Sequence, residues 1–246
     1  LCKKYETPFI LHRTILTQGV GESMLAQIIS DWEDALPAHF KLAYLPAFSQ
    51  VRLRLTAVGK QEHLLKAEAD ELIEKLKPLI HEHIFGYENE SLEEVVGALL
   101  RERKSSLATA ESFTGGAIAA ALTSISGSSD YYQGSVVSYA NSIKVNELGV
   151  SEGDLKKFGA VSQQVAEQMA QGVKQKFNTD YAISTTGIAG PSGGSEAKPV
   201  GTAWIAIAGP NGVVSVKYAF GEQREAIIQR ATYTALNMLR KTILKD

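Results

Sequence analysis

The sequence predicts two successive folds, a small α+β module over residues 1–88 and a three-layer α/β domain over residues 89–246. Three observations lead to this reading. Periodic segments in the first stretch come in the order strand, helix, strand, strand, helix. From residue 91 onward strands and helices alternate, the pattern that places helices on both faces of one sheet. A polar run with one glycine, 86–90, separates the two stretches, and 246 residues suffice for two domains when one commonly takes roughly 100–200.

In the first module, residues 9–16 mix apolar and polar side chains as a strand does. The turn at 19–23 leads into 24–36, where Leu25, Ile28, Ile29, Trp32 and Leu36 recur at three- and four-residue spacing on one helical face, and Pro37 ends the helix. Residues 42–45 and 51–57 read as strands. The second sets Val51, Leu53 and Leu55 against Arg52, Arg54 and Thr56, the alternation of a sheet with one wet face. A second amphipathic helix, 61–79, carries Glu and Lys on its outer side.

In the second domain Ser91 and Glu94 have capping-box spacing, ahead of a helix whose buried face is Leu92, Val95, Val96, Leu99 and Leu100. Residues 106–110 form a strand, 109–116 (TAESFTGG) close it in a tight turn, and 117–122 begin an alanine-rich helix. A strand follows at 132–139. Ser151 and Ser162 stand where caps of two further helices belong, the latter with Val165, Met169, Val173 and Phe177 in phase. Strand 181–185 runs into a second glycine-rich loop, 187–194 (GIAGPSGG), strands 200–208 and 213–220 make a hairpin, and helix 224–244 closes the chain.

Hydrophobic residues make up 44% and charged residues 21% of the chain, a globular balance, and no apolar run approaches the roughly 18 residues of a membrane span. A soluble protein with no membrane partner is expected. The single cysteine, Cys2, excludes an internal disulfide and points to a reducing, cytoplasmic compartment. Lys and Arg number 10 against 13 Asp and Glu in residues 1–90, and 15 against 14 in 91–246. That balance argues against nucleic acid as a main partner, because phosphate neutralisation supplies most of such affinity. His81 and His83 lack a third or fourth ligand nearby, so a surface turn is expected there rather than a metal site. The chain opens at Leu1 without an initiating Met, and a fragment of a longer protein is expected.

All five histidines and Cys2 precede residue 84. The second domain therefore holds neither a Ser-His-Asp triad, nor a cysteine nucleophile, nor a His/Cys metal site. The 109–116 junction aims a side chain and several backbone N–H groups at one spot, which suits a serine nucleophile, an anion, or a plain β–α bend. If this domain acts on an acyl or amide bond, its base is a lysine, a tyrosine or a carboxylate. Lys144 is the candidate, about one helical turn beyond the strand end that presents Tyr139; burial would disfavour its ammonium and leave an amine able to take a serine proton. The glycines of 187–194 imply positive φ angles or a close approach of backbone to something, or else a flexible crossover.

Residues 110–116 (AESFTGG), the pair Tyr139 and Lys144, 187–194 (GIAGPSGG), 198–202 (KPVGT) and the turn from Gly221 to Arg224 together resemble the C-terminal domain of the competence-damage family called CinA, over about residues 91–244. The first module, with His12-Arg13-Thr14 and Gly21-Glu22-Ser23, resembles the KH-like middle domain of full-length members, although Gly19 and Gly21 lie too close together for the G-x-x-G clamp of nucleic-acid-binding KH modules. The molybdopterin-binding-like pyrophosphatase domain of those members is outside this sequence, in keeping with the expected fragment.

The resemblance implies a nicotinamide-nucleotide amidase that converts nicotinamide mononucleotide to nicotinate mononucleotide and ammonia in pyridine-nucleotide salvage, with no cofactor and no metal. It implies Ser112 as nucleophile and Lys144 with Tyr139 as proton relay. Oxyanion donors would lie around Gly115 and Gly116, Thr114 and the loop of Gly187 and Gly190 would line the pocket, and Arg224 would meet the substrate phosphate. Phe113 stands where the family commonly has Cys, and Ile228 where a further arginine is usual. A small-molecule nucleotide partner and a homo-oligomer, a dimer, are expected. The alternative is a non-catalytic nucleotide-binding or regulatory module.

Overall fold

The computed structural model describes residues 8–47 and 50–246, so Cys2 lies outside the described residues. The chain divides into two units, Leu1–Ser91 and Leu92–Asp246.

In the first unit β1 (Phe9–Gln18), α1 (Glu22–Asp34), β2 (Phe40–Ala47), β3 (Gln50–Gly59), α2 (Glu62–Ile80) and β4 (Ile84–Tyr87) follow in order. The strands form one antiparallel sheet, β2-β3-β1-β4. Alternation along β3 buries Val51, Leu53, Leu55 and Ala57 and exposes Arg52 and Arg54. The buried set, with Leu11 and Ile15 of β1, packs under Leu25, Ile29 and Trp32 of α1 and Leu65, Ala69, Leu72 and Leu76 of α2. Trp32 Nε1 donates to Leu72 O at 3.0 Å and joins the two helices. Three details differ from expectation. Ile28 flanks the apolar stripe and is 38% exposed. Helix α1 stops at Asp34, ahead of Leu36 and Pro37, because residues just before a proline avoid helical φ/ψ. Strand β4, absent from the expected order, is too short to display an alternation.

The second unit comprises α3 (Leu92–Glu102), β5 (Leu107–Glu111), α4 (Ala117–Thr123), β6 (Tyr132–Val137), α5 (Asn141–Leu148), α6 (Glu152–Phe158), α7 (Gln163–Phe177), β7 (Tyr181–Gly187), β8 (Thr202–Gly209), β9 (Gly212–Ala219) and α8 (Arg224–Lys245). Its sheet has the order β6-β5-β7-β8-β9, with β5 parallel to both neighbours and β8 antiparallel to both of its own. Helices cover both faces, giving the three layers expected. On one face Ala108, Ala110, Ala182, Ala206 and Ala208 let α7 lie close, with Val165, Ala166, Met169, Ala170 and Val173 seated on them. Helix α8 crosses the other face, with α3 and α4 beside it. Strands covered on both sides are buried nearly throughout, as β5 and β8 are, and in β5 the buried set includes the polar Thr109 and Glu111. Ser151 caps α6 by accepting from Asp154 N at 3.3 Å, whereas Ser162 turns its hydroxyl back to Gly159 O at 2.9 Å instead of capping α7. Among the described residues no helix is long and apolar enough to cross a membrane.

Candidate active site

Strands β5, β6 and β7 run parallel, so their carboxyl ends share one edge of the sheet. From β5 the chain turns to α4, on the α8 face, and from β6 to α5, on the α7 face. Divergence of adjacent connections opens a crevice between the strand ends, the usual ligand position in open α/β sheets. Ser112 follows β5, Tyr139 and Lys144 follow β6, and the 187–194 loop continues β7.

Ser112 is 8% exposed and Lys144 1%. Lys144 and Leu148, one turn apart, form the buried side of α5. The lysine Nζ lies 3.0 Å from Ser112 Oγ, 2.5 Å from Ser138 O and 3.3 Å from Tyr139 O. Burial lowers its pKa from 10.5 to about 8, since an ammonium without hydration or a carboxylate partner is disfavoured. A neutral amine has two N–H groups and one lone pair. The two carbonyls occupy the N–H groups, which leaves the lone pair for the Ser112 hydroxyl.

The turn after β5 is held by Glu111, a buried residue whose carboxylate accepts from Gly116 N at 3.0 Å, Ile118 N at 3.1 Å and Ala119 N at 2.8 Å. Gly115 N donates to Ser112 O at 3.1 Å, and the left-handed φ of +62° at Gly115 and +101° at Gly116 folds the chain tightly enough for these bonds. The oxyanion donors expected at Gly115 and Gly116 are therefore already engaged. In this turn the N–H groups of Phe113 and Thr114 lack a partner among the described residues. Glu111→Ala would strand three donors and is expected to cost about 3 kcal/mol in a urea melt, with Glu111→Gln, which keeps one acceptor, losing about half as much.

A cavity of about 300 Å³ opens over the pair, lined by Ser112, Phe113, Tyr139, Asn141 and Lys144, by Ala160 and Val161, by residues 186–190, and by Ser192, Gly193 and Arg224. Gly187, Gly190 and Arg224 thus meet Ser112 and Lys144 in one place. Thr114, Gly115 and Gly116 do not line it. Thr114 is 4% exposed and bonds Thr185 Oγ1 at 2.7 Å, an internal pin of the turn. Tyr139 enters differently from expectation: its carbonyl meets Lys144, while the residue is 65% exposed and its phenol makes no hydrogen bond to Lys144. The amine rises from α5 beneath the backbone of 138–139, so main-chain oxygen reaches it first. Gly187 leaves room for the Phe113 ring, whose Cε1 would lie 2.9 Å from an added Cβ. Arg224, the first residue of α8, donates Nη1 to Gly190 O at 2.9 Å. Ser192 lies in the 187–194 loop expected to line the pocket, whereas Asn141, Ala160, Val161 and Thr186 were not anticipated; Asn141 lay within the stretch between Tyr139 and Lys144, but nothing local marked Ala160 and Val161. Among the described residues no group of three His, Cys, Asp or Glu converges as a metal site.

A buried serine–lysine pair at the carboxyl ends of parallel strands, beneath a cavity of about 300 Å³, marks a three-layer α/β unit with a candidate active site. Residues 89–243 match the CinA C-terminal domain and residues 12–86 match the damage-inducible protein CinA KH domain. The chain belongs to the CinA family. It is 53% identical over 247 residues to the CinA-like protein of Flavobacterium psychrophilum, covering 100% of this chain and 59% of that protein, and 45% identical to the one from Cytophaga hutchinsonii, covering 98% and 57%. The chain thus spans 57–59% of the length of these curated relatives. Among solved structures, the competence/damage inducible protein CihA from Agrobacterium tumefaciens superposes with a TM-score of 0.60 at 41% identity, covering 61% of this chain and 92% of that one. A CinA superfamily protein from Klebsiella pneumoniae gives a TM-score of 0.61 at 31% identity, covering 64% and 100%.

Proposed function

We propose that the second unit hydrolyses the carboxamide of nicotinamide mononucleotide to nicotinate mononucleotide and ammonia. One observation carries this reading: a lysine with pKa lowered to about 8 sits 3.0 Å from a serine hydroxyl in a polar cavity that also contains an arginine. Neutral Lys144 takes the Ser112 proton as Oγ attacks the carboxamide carbon, and the resulting ammonium returns that proton to the departing nitrogen, which leaves as ammonia. Water, activated by the again-neutral amine, then releases the acid from the acyl-enzyme. The Phe113 N–H, adjacent in sequence to the nucleophile and without a partner among the described residues, would serve as main-chain donor to the oxyanion. Ser138 O and Tyr139 O orient the base, and the exposed Tyr139 ring stands at the cavity mouth.

Arg224 supplies the positive charge for the phosphate. Its contact with Gly190 O fixes the guanidinium beside the loop and leaves further N–H groups free for bidentate contact. Arg224→Ala is expected to raise KM for nicotinamide mononucleotide roughly 10- to 100-fold, with a much smaller change in kcat. An unchanged KM would place the phosphate elsewhere. Ammonia release from nicotinamide mononucleotide by the purified chain tests the whole proposal; saturable binding of the nucleotide without ammonia would mark a non-catalytic module.

A further inference from the structure

One wall of the cavity, Ala160 and Val161, belongs to the connection between α6 and α7 and has no secondary structure to stiffen it. Three carbonyls, two in this connection and one at the last residue of α6, are tied from outside. Phe158 O and Val161 O accept from Lys198 Nζ at 2.7 and 2.8 Å, and Ala160 O accepts from Thr186 Oγ1 at 2.8 Å. Lys198 rides on the returning arm of the 187–201 loop, where its main chain exchanges hydrogen bonds with Ser195, N to O at 2.9 and 3.1 Å. The loop base is closed by Ile188 N to Thr202 O at 2.9 Å and Gly201 N to Ile188 O at 2.8 Å. Val200 packs so near Gly190, which lines the cavity, that a Cβ added there would lie 2.5 Å from Val200 Cγ1. One ammonium therefore bridges two segments that are distant in sequence and both form cavity wall. Lys198 itself does not line the cavity, and two of its three donors are spent on main-chain oxygen rather than on water or a carboxylate.

We propose that Lys198 is a positioning residue, a strap that holds segment 158–161 against the 187–201 loop and so sets how tightly the cavity grips its nucleotide. The identity of the nucleotide rests on the proposed amidase function; the strap does not. Two measurements on the full chain separate them. The first is hydrogen–deuterium exchange across residues 156–163 in Lys198→Met and Lys198→Arg. Exchange is expected to be about 10-fold faster in the methionine variant, which keeps the stem and loses both charge-assisted bonds, and near the parent rate in the arginine variant. The second is calorimetric binding of nicotinamide mononucleotide in a Ser112→Ala background, where Lys198→Met is expected to weaken Kd about 10-fold and Lys198→Arg to restore it. Unchanged exchange in Lys198→Met overturns the strap. Faster exchange with unchanged Kd overturns its role in ligand grip. If Ser112→Ala with Lys198 intact binds no nucleotide, the functional reading fails instead, and exchange alone upholds or overturns the strap.

Discussion

Replacing Ser112 with alanine is expected to lower ammonia release from nicotinamide mononucleotide at least about 1,000-fold while leaving the fold and nucleotide binding in place. The asymmetry follows from where the hydroxyl sits. Ser112 Oγ meets the Lys144 Nζ and no main-chain group, whereas the Ser112 backbone continues the ladder by donating to Thr185 O at 3.0 Å. Alanine keeps that ladder bond, the Phe113 packing and the Glu111 cap. Alanine does remove one hydrogen-bond partner from the buried Lys144 amine, so the expected stability loss is about 1–2 kcal/mol, that of one lost buried hydrogen bond, with the fold retained. Retained Kd with lost turnover is the signature to look for. An alanine variant that still releases ammonia at the parent rate would remove Ser112 from the chemistry.

The second large effect concerns Lys144 and has two parts, one in rate and one in stability. Activity is expected to rise with pH about tenfold per unit and level off near pH 8, because only the neutral amine accepts the serine proton and burial sets its pKa at about 8. Lys144→Arg is expected to lose at least about 1,000-fold and to show no such rise, since a guanidinium does not deprotonate in this range. A profile whose midpoint survives Lys144→Arg would assign the titration to another group.

For stability, the sign follows from a folded pKa, about 8, that is lower than the unfolded 10.5. Between those values the unfolded chain binds the extra proton, so this group's penalty is full below pH 8 and fades as pH rises toward 10.5. With a shift of that size the penalty is roughly 3 kcal/mol at most. Urea melts of the parent and Lys144→Met at pH 7 and pH 10 isolate it: the parent is expected to gain on the variant as pH rises. Alkaline titration of the buried tyrosines cancels in that comparison, since both proteins carry them.

The Ser112–Lys144 pair was legible in advance from position and elimination together. With every histidine and the cysteine in the first 83 residues, the base for a serine on a strand-to-helix turn was left to a lysine, a tyrosine or a carboxylate, and Lys144 was picked out by its place about one turn beyond a strand end. Helical phase was equally readable: Val165, Met169 and Val173 are all buried against the sheet, as their spacing predicts. Apart from the missed strand β4, the larger departures concern partners rather than elements. Gly115 and Gly116 do make the bend, but Glu111 and Ser112 O consume their N–H groups. Tyr139 does reach the lysine, with its carbonyl in place of its phenol.

Sequence by itself determined most of the apolar faces, where most strands yield to helices, and which side chains can do acid–base work, because periodicity and composition report solvent contact and chemical type directly. Only the tertiary structure decided what each N–H and C=O is paired with, and which distant segments enclose the pair. Ser112, Lys144, Ala160, Gly190 and Arg224 come from five separate stretches of chain, brought together by the order β6-β5-β7 and the opposed faces of α4 and α5. A hydrogen bond needs its partner within about 3 Å and correctly aligned, and that requirement is met only after sheet register and loop paths are set. The lowered pKa of Lys144 is of the same kind: a lysine's ordinary chemistry, changed by packing that its neighbours in sequence do not describe.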